Sequence, residues 1–266
     1  MLNNSRKTKT IKLAMKTTLK IASVLTMMFI STSLYAQLPE EIQWKHLEKI
    51  YTPDSTQLVL KLNGKVLDGK YKIPFDEGGF ALYTIKSGKI TGDAFWYSTA
   101  GNVECKLRYK NGVRNGLKEN YDRDGKVWLR QEFINGKQDG INEMYSGGQL
   151  SNKSEYKNNK KDGPQYSYSG DKVITETNYK DGLRDGLSKT YGLDGKVITE
   201  INYKADKQDG LTTMFAMGNK TMDFMFVDGK KHGIGHMYKP NGSVVFTNYF
   251  INGEKVSKDE YDKYRK

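Results

Sequence analysis

The sequence predicts an all-β protein: an elongated, twisted antiparallel sheet of tandem β-hairpin repeats, closed by a short C-terminal capping helix. Glycines recur at a period of 23–24 residues, and aromatic residues recur at fixed distances from them. Only 36% of the residues are hydrophobic, which is low for a thick core, whereas 18 Tyr and 27 Gly suit short strands and tight turns. Together these observations indicate a thin repeat array rather than a globular domain.

A glycine begins most repeat units, and Asn159 and Asp206, which tolerate a left-handed backbone, take its place in two of them. The units begin at positions 64, 88, 112, 136, 159, 182, 206, 229 and 253. A second glycine follows four residues later in seven units. The Asn-Gly and Asp-Gly pairs favour tight hairpin turns, and the segments between turns have strand length. Each unit is therefore predicted to be one hairpin.

Alternation along each hairpin predicts which side chains share a face. Counting from the leading glycine, we expect offsets 5, 7 and 9 of the first strand and 15, 17, 19 and 21 of the second to form one aliphatic and aromatic face. The two glycines are expected to let neighbouring rings lie across bare backbone. The other face is expected to carry Lys, Glu, Asn and Thr.

Residues 1–36 have the features of a signal peptide: six basic residues, no acidic residue, and an apolar run over 21–30 that precedes Ala36. The run is shorter than the roughly 20 residues of a membrane span. The sequence therefore predicts export to the periplasm or cell exterior, with cleavage after Ala36. An uncleaved anchor and a surface helix are the alternatives.

Residues 37–57 form a lead-in that we expect to cover the first edge of the array, which spans residues 58–256. One set of its residues is spaced as on a helix: Trp44, Leu47 and Tyr51. Another mostly alternates as on a strand: Ile42, Trp44, His46 and Ile50. At the other end, Ser257 and Glu260 have capping-box spacing, which predicts a short helix within 257–266 that covers the last edge. A frayed polar tail is the alternative there.

The repeat unit resembles the MORN repeat, and more closely the bacterial MORN repeat variant of the YwqK-type antitoxin family. The matching residues are Tyr109-Lys110-Asn111-Gly112, Gly116-Leu117, Tyr121 and Asp124-Gly125-Lys126. Residues 231–235 come nearest to the His-Gly-x-Gly of standard MORN units, whose Trp is absent from the other units. The resemblance implies a hairpin-repeat fold over residues 58–256. Its antitoxin label implies a cytoplasmic partner, which conflicts with the export signal.

Few residues are suited to catalysis or metal binding. Asp122 to Gly125 begins like a calcium loop but lacks the closing Glu. His232 and His236 are four residues apart on a turn and a strand, so we do not expect them to converge on one ion. Because no nucleophile elbow, phosphate loop or carboxylate pair stands out either, we expect no enzyme activity, no cofactor and no metal.

The charge and the single cysteine argue against nucleic-acid binding, a disulfide framework and a cysteine metal site. The net charge of +12 falls to +6 for residues 37–266, and no groove-reading motif accompanies it, so nucleic-acid binding is not expected. Cys105 is alone, which excludes an intrachain disulfide and a cysteine metal site. We expect Cys105 to be a small buried apolar residue between Val103 and Leu107.

Two tryptophans depart from the repeat pattern and indicate a binding patch. Trp96 and Trp128 are expected on the polar face, about 14 Å apart across three strand spacings. The same face is expected to carry four basic residues: Lys106, Arg108, Lys118 and Arg130. Such a patch suits an acidic protein, an anionic glycan or lipid headgroups. The alternative is that each Trp packs on its cross-strand neighbours.

Taken together, the sequence predicts a non-enzymatic repeat scaffold that binds an unidentified protein partner in the periplasm or outside the cell. The alternatives are an antitoxin or immunity-type protein that neutralises a toxin, and a module that binds envelope lipid or glycan.

Overall fold

The computed structural model of the protein describes residues 39–51 and 58–266 and contains one long sheet of 18 strands beside a small sheet of three. The strands of the long sheet between residues 69 and 256 follow one another in chain order, each antiparallel to the next. The strand Glu40–Glu41 pairs with the strand Gly69–Pro74 in parallel, so the sheet is mixed at this one edge. The predicted elongated array of consecutive hairpins is thereby confirmed. The predicted cleavage point at Ala36 lies outside the described residues.

The long sheet contains the following strands: β1 (Glu40–Glu41), β5 (Gly69–Pro74), β6 (Phe80–Lys86), β7 (Lys89–Tyr97), β8 (Val103–Lys110), β9 (Val113–Tyr121), β10 (Val127–Ile134), β11 (Lys137–Ser146), β12 (Gln149–Lys157), β13 (Lys160–Ser169), β14 (Lys172–Lys180), β15 (Leu183–Tyr191), β16 (Val197–Lys204), β17 (Lys207–Ala216), β18 (Asn219–Val227), β19 (Lys230–Tyr238), β20 (Val244–Ile251) and β21 (Glu254–Val256). The small sheet contains β2 (Glu48–Tyr51), β3 (Leu58–Leu62) and β4 (Lys65–Val66), and helix α1 is Lys258–Tyr264.

The turns that begin the units have the left-handed backbone that their sequences predict. Asn159 and Asp206 both have φ of 69°, so they replace glycine without changing the turn. Successive turns are also hydrogen-bonded to each other. The Gly182 amide donates to the Lys161 carbonyl at 2.8 Å, and the Asp181 amide donates to the Asp162 carboxylate at 3.2 Å. The aspartate before the second glycine therefore connects one unit to the next.

The second turn of each unit explains why the period alternates between 23 and 24 residues. In the unit that begins at Gly112, residues 122–126 connect β9 to β10. In the next unit only residues 147–148 connect β11 to β12, because both are glycines that close a two-residue turn. The longer turn is accompanied by a bulge, at which the register shifts between Val127 and Leu129.

A bulge at the second glycine of each unit changes which side chains share a face. Gln131 pairs with Asn142, yet Phe133 pairs with Gln138, so Gly140 lies in a bulge with φ of 114°. A Cβ built there would lie 3.0 Å from the Cβ of Glu132. On the other neighbouring strand, each second glycine pairs directly with an aromatic residue, as Gly140 pairs with Tyr156 and Gly163 with Tyr179. This pairing agrees with the expectation that rings lie beside bare backbone.

The expectation of one aliphatic and aromatic face is wrong for most of its positions, because offsets 5 and 7 of the first strand and offsets 17 and 19 of the second lie on opposite sides of the sheet. Lys189 at offset 7 pairs with Glu200 at offset 18, and Thr190 at offset 8 pairs with Thr199 at offset 17. Residues that pair across strands share a face. Offsets 5 and 7 of the first strand therefore lie with even offsets of the second. Offset 9 pairs with offset 15, as Tyr191 pairs with Val197, because the register shifts between Thr190 and Tyr191.

A second layer covers the first hairpin of the long sheet. The β2–β4 sheet is attached through the Leu60 amide, which donates to the Gly88 carbonyl at 2.7 Å. Its core combines residues from both layers: Ile42, Leu47, Leu60, Leu67, Tyr71, Ile73 and Ile85. The described part of the lead-in, residues 39–51, contains β1, a 3₁₀ turn at Trp44–His46 and β2, so neither a continuous helix nor a continuous strand forms there.

The predicted C-terminal helix and its capping box are confirmed. The Ser257 hydroxyl accepts from the Glu260 amide at 3.2 Å, and the Glu260 carboxylate accepts from the Ser257 amide at 2.9 Å. Tyr261 is buried against Tyr249 of β20, with the ring centroids 5.3 Å apart. Within the described ranges, no helix has the length and apolar character needed to cross a bilayer.

Candidate functional site

One face of the long sheet, termed here the charged face, carries a row of directly paired residues that mostly alternate in charge. The row runs through Lys106, Glu119, Arg130, Glu143, Lys153, Tyr166, Glu176, Lys189, Glu200, Thr213, Asp223 and His236. Arg130 forms ion pairs with Glu119 at 3.1 Å and Glu143 at 3.5 Å. Opposite charges on neighbouring strands stabilise one register over others.

The hydroxyls of tyrosines beside this row donate hydrogen bonds to its carboxylates. The Tyr121 hydroxyl donates to Glu119 at 3.0 Å and the Tyr145 hydroxyl donates to Glu143 at 2.7 Å. Burial and the Glu119 carboxylate raise the pKa of Tyr121 to about 12. The charged face is thus occupied by internal contacts, which leaves few of its groups available to a ligand.

The structure divides the six residues of the predicted binding patch between the two faces. Three of the basic residues lie on the charged face: Lys106, Arg108 and Arg130. Trp96 pairs with Cys105, the neighbour of Lys106 on β8, so its side chain lies on the opposite face. We term that opposite face the indole face. The expectation that all six residues share one face is therefore wrong, for the register reason given above.

The basic residues on the charged face are also neutralised. Arg108 donates to the Asp93 carboxylate at 2.8 Å, and Lys106 lies 3.5 Å from the same group. The hydrogen bond from Arg108 is the main cause that holds the pKa of Asp93 below its usual value. These cations therefore stabilise the sheet and are poor anchors for an acidic partner.

Trp96 and Trp128 line one depression on the indole face, with a volume of about 510 Å³. Its other lining residues are Glu104, Cys105, Leu107, Tyr109, Arg114, Lys118, Asn120 and Tyr121. Trp96 is half-buried and contacts Tyr83 edge-on at 5.6 Å, whereas Trp128 lies in the β10 bulge and is 40% exposed. Trp96 thus partly packs on a neighbour, as the alternative interpretation expected, and Trp128 is the more accessible indole.

Arg114 and Lys118 give this depression a positive character. Among the described residues, neither forms an ion pair with a carboxylate. The Arg114 guanidinium lies 5.7 Å from the centre of the Phe133 ring, so part of its side chain is held in place by packing. These two cations, without a carboxylate partner and beside one exposed and one half-buried indole, differ from the neutralised cations of the charged face.

Two polar groups in the depression are relevant to binding. Burial raises the pKa of the Cys105 thiol, against the influence of Lys118 and Arg114, so the thiol stays protonated. Cys105 is only half-buried, which corrects the expectation of a buried residue. The Asn120 Oδ1 atom is buried, and no described residue donates a hydrogen bond to it. A donor from a bound partner could satisfy this oxygen.

The residues examined for metal binding have other partners. The Asp122 carboxylate accepts from the Lys126 amide at 2.8 Å and from the Asp124 amide at 3.0 Å, as an Asp in a turn does. The His236 Nδ1 atom lies 2.9 Å from Asp223, whereas the His232 Nδ1 atom accepts from the Asn252 amide at 3.3 Å. Within residues 39–51 and 58–266, no cluster of His, Cys, Asp and Glu could hold a metal ion.

Arg114, Asn120 and Tyr109 are site residues that the sequence analysis missed. Each occupies an ordinary repeat position, so none departs from the pattern in the way that the tryptophans do. The pairing of Cys105 with Asn120 and of Tyr109 with Arg114 brings them beside Trp96 and Trp128. Only the cross-strand register could have identified them.

Comparison with protein-family models finds a match over a single unit of the array. No curated protein matches the chain. Residues 184–205, which include the turn from β15 to β16, match the family model described as MORN repeat variant. MORN repeats are commonly non-enzymatic modules involved in binding, and this segment of the hairpin array is similar to such a repeat.

Proposed function

We propose that the protein is a non-enzymatic repeat scaffold that binds a protein partner in the periplasm or at the cell exterior. The observation that carries the proposal is the depression between Trp96 and Trp128, with its unpaired Arg114 and Lys118. The signal-peptide features predicted for residues 1–36 support the location.

The chemistry of the depression favours an acidic segment that also presents apolar side chains. Aromatic residues and arginine are enriched where protein partners meet, and indoles supply large contact areas. Carboxylates of the partner would pair with Arg114 and Lys118, and an amide or hydroxyl would satisfy the Asn120 oxygen. The sheet supplies a rigid support, because both indoles are on strands rather than loops.

The experiment is capture of partners from an envelope fraction by the mature chain, whose intact mass should correspond to a start at Gln37. Trp128→Ala and Lys118→Glu should each lose a protein that the unaltered chain retains. The matched control is Lys180→Glu. The substitution makes the same change in charge, and Lys180 is an exposed residue at the end of β14.

Three results would count against this proposal. The first is equal capture by Lys118→Glu and Lys180→Glu. The second is binding to vesicles of anionic lipid, weakened by salt, in place of any protein. The third is loss of folding in Trp128→Ala, measured by thermal unfolding, because the residue would then be structural. A captured protein that proves to be a toxin would specify the scaffold as an immunity-type protein.

A further inference from the structure

Methionines are concentrated in one part of the array. Of the six methionines among the described residues, five fall between positions 214 and 237. Three of these occupy directly paired positions on adjacent strands, since Met214 pairs with Met222 and Met222 pairs with Met237. Earlier strands have mainly hydroxyl or amide residues in this row, as in the pairing of Thr175 with Thr190 and Thr190 with Thr199. The methionines therefore depart from the repeat pattern in three consecutive strands.

These three methionines lie on the indole face and are accessible. Met214 and Met237 are each 37% exposed, and Met222 between them is half-buried. The neighbouring Phe224 packs edge-on against Phe250, with the ring centroids 5.9 Å apart. This ring pair lies further along the strands than the methionines do. The three methionines are flanked in this row by Thr199, which pairs with Met214, and by Phe246, which pairs with Met237. The three thioethers therefore form a separate exposed group.

Strand propensity and packing do not explain this choice of residue. Val, Ile and aromatic residues suit a strand better than Met, and the three side chains are not enclosed in a core. What Met alone supplies is a polarizable thioether on a chain with three rotatable bonds. Paired residues have β-carbons about 4.5–5.5 Å apart, so the two outer side chains can lean towards the one at the centre.

We propose that Met214, Met222 and Met237 form a binding site for Cu(I). Thioethers are soft ligands and select Cu(I) among the first-row metal ions. The three sulfurs would supply a trigonal set, with Met222 at its centre, and no proton has to leave a thioether for the ion to bind. His236 lies next to Met237 in the chain but on the charged face, where it contacts Asp223, so it is not part of this set.

The test is an anaerobic competition for Cu(I) between the purified protein and a chromophoric Cu(I) chelator. The protein should take up one ion, and Met222→Leu should bind it roughly tenfold or more weakly, since one of three ligands is lost. Leucine keeps the volume and apolar character of the site. The control is Met144→Leu, because Met144 lies in the same row between Leu129 and Asn152, without a second methionine.

Two further measurements distinguish a thioether site from a site that uses a thiolate or an imidazole. Cu(I) binding should be equal at pH 5 and pH 7, because a thiolate or imidazole site would weaken as its ligand is protonated. Binding should also persist in Cys105→Ser, since β8 lies ten strand spacings, about 48 Å, from β18. The proposal is overturned if the protein takes up no Cu(I), if Met222→Leu retains it fully, or if Cys105→Ser abolishes it.

Discussion

The first strands of the long sheet and the strands that follow β8 are stabilised by different chemistry. Of the twelve buried apolar residues in the described ranges, nine precede residue 95, whereas all five buried polar residues follow residue 141. Leu60 and Ile85, each 1% exposed, lie between two layers. In the later strands small polar side chains such as Ser154 and Thr212 are covered by their neighbours within one layer.

This difference shows how a single-layer sheet remains stable without an apolar core. Each later unit contacts chiefly the next, through turn hydrogen bonds, ion pairs and rings with cations beside them, as where Arg184 lies 4.2 Å from the centre of the Tyr203 ring. Stability then accumulates from neighbour contacts along the array. The first hairpin, by contrast, is stabilised by apolar side chains buried between two layers. Its stability is therefore more sensitive to substitutions that shorten a side chain.

The largest effect is expected from Leu60→Ala in the two-layer region. The substitution leaves a cavity in a fully buried site, so the free energy of unfolding should fall by about 3 kcal/mol, measured by urea denaturation. The comparison is Leu211→Ala in the single-layer region, where Leu211 is 39% exposed and the loss should stay below about 1 kcal/mol. Equal losses at the two sites would remove the distinction between the regions.

A smaller effect is expected from Asp223→Asn, which tests the buried polar contacts. Burial opposes ionisation of Asp223, but hydrogen bonds from Lys220, Tyr238 and His236 outweigh it and lower the pKa to about 2. A carboxylate whose pKa is lowered on folding contributes stability that is present above about pH 4 and is lost as the pH falls towards 2. The expected contribution at pH 7 is about 2 kcal/mol.

Urea denaturation at pH 7 and at pH 2.5 checks this expectation. The difference between Asp223→Asn and the unaltered protein should be large at pH 7 and small at pH 2.5. Asp171→Asn is the control, because Asp171 lies exposed in a two-residue turn. A difference that does not depend on pH would mean that the amide disturbs packing instead of removing a charge.

The smallest of the three effects is the difference between two glycines with positive φ, Gly140 in a bulge and Gly125 in a turn. Gly140→Ala should cost about 2 kcal/mol, because the residue has φ of 114° and its new Cβ would lie 3.0 Å from that of Glu132. Gly125→Ala should cost about 1 kcal/mol, since Gly125 has φ of 77° but nothing within 4 Å of the added atom. Thermal unfolding of the two variants measures the combined cost of the close contact and of the larger φ at Gly140. Equal costs would show that neither adds to the ordinary cost of a positive φ.

The sequence by itself determined the hairpin array, its period and the C-terminal cap. Asn-Gly and Asp-Gly pairs specify positive φ locally, and the capping box needs only Ser257 and Glu260, so neither depends on distant residues. Because these signals are local and repeat in every unit, the pattern is readable without a structure.

Only the tertiary structure decided which side chains share a face. Register shifts between Trp96 and Tyr97 on β7 and between Leu107 and Tyr109 on β8 change the alternation that simple counting assumes. For that reason Trp96 lies with Lys118 and Arg114, away from Lys106 and Arg130. Register depends on the sum of turn, bulge and cross-strand contacts, and one residue of difference moves a side chain to the other face.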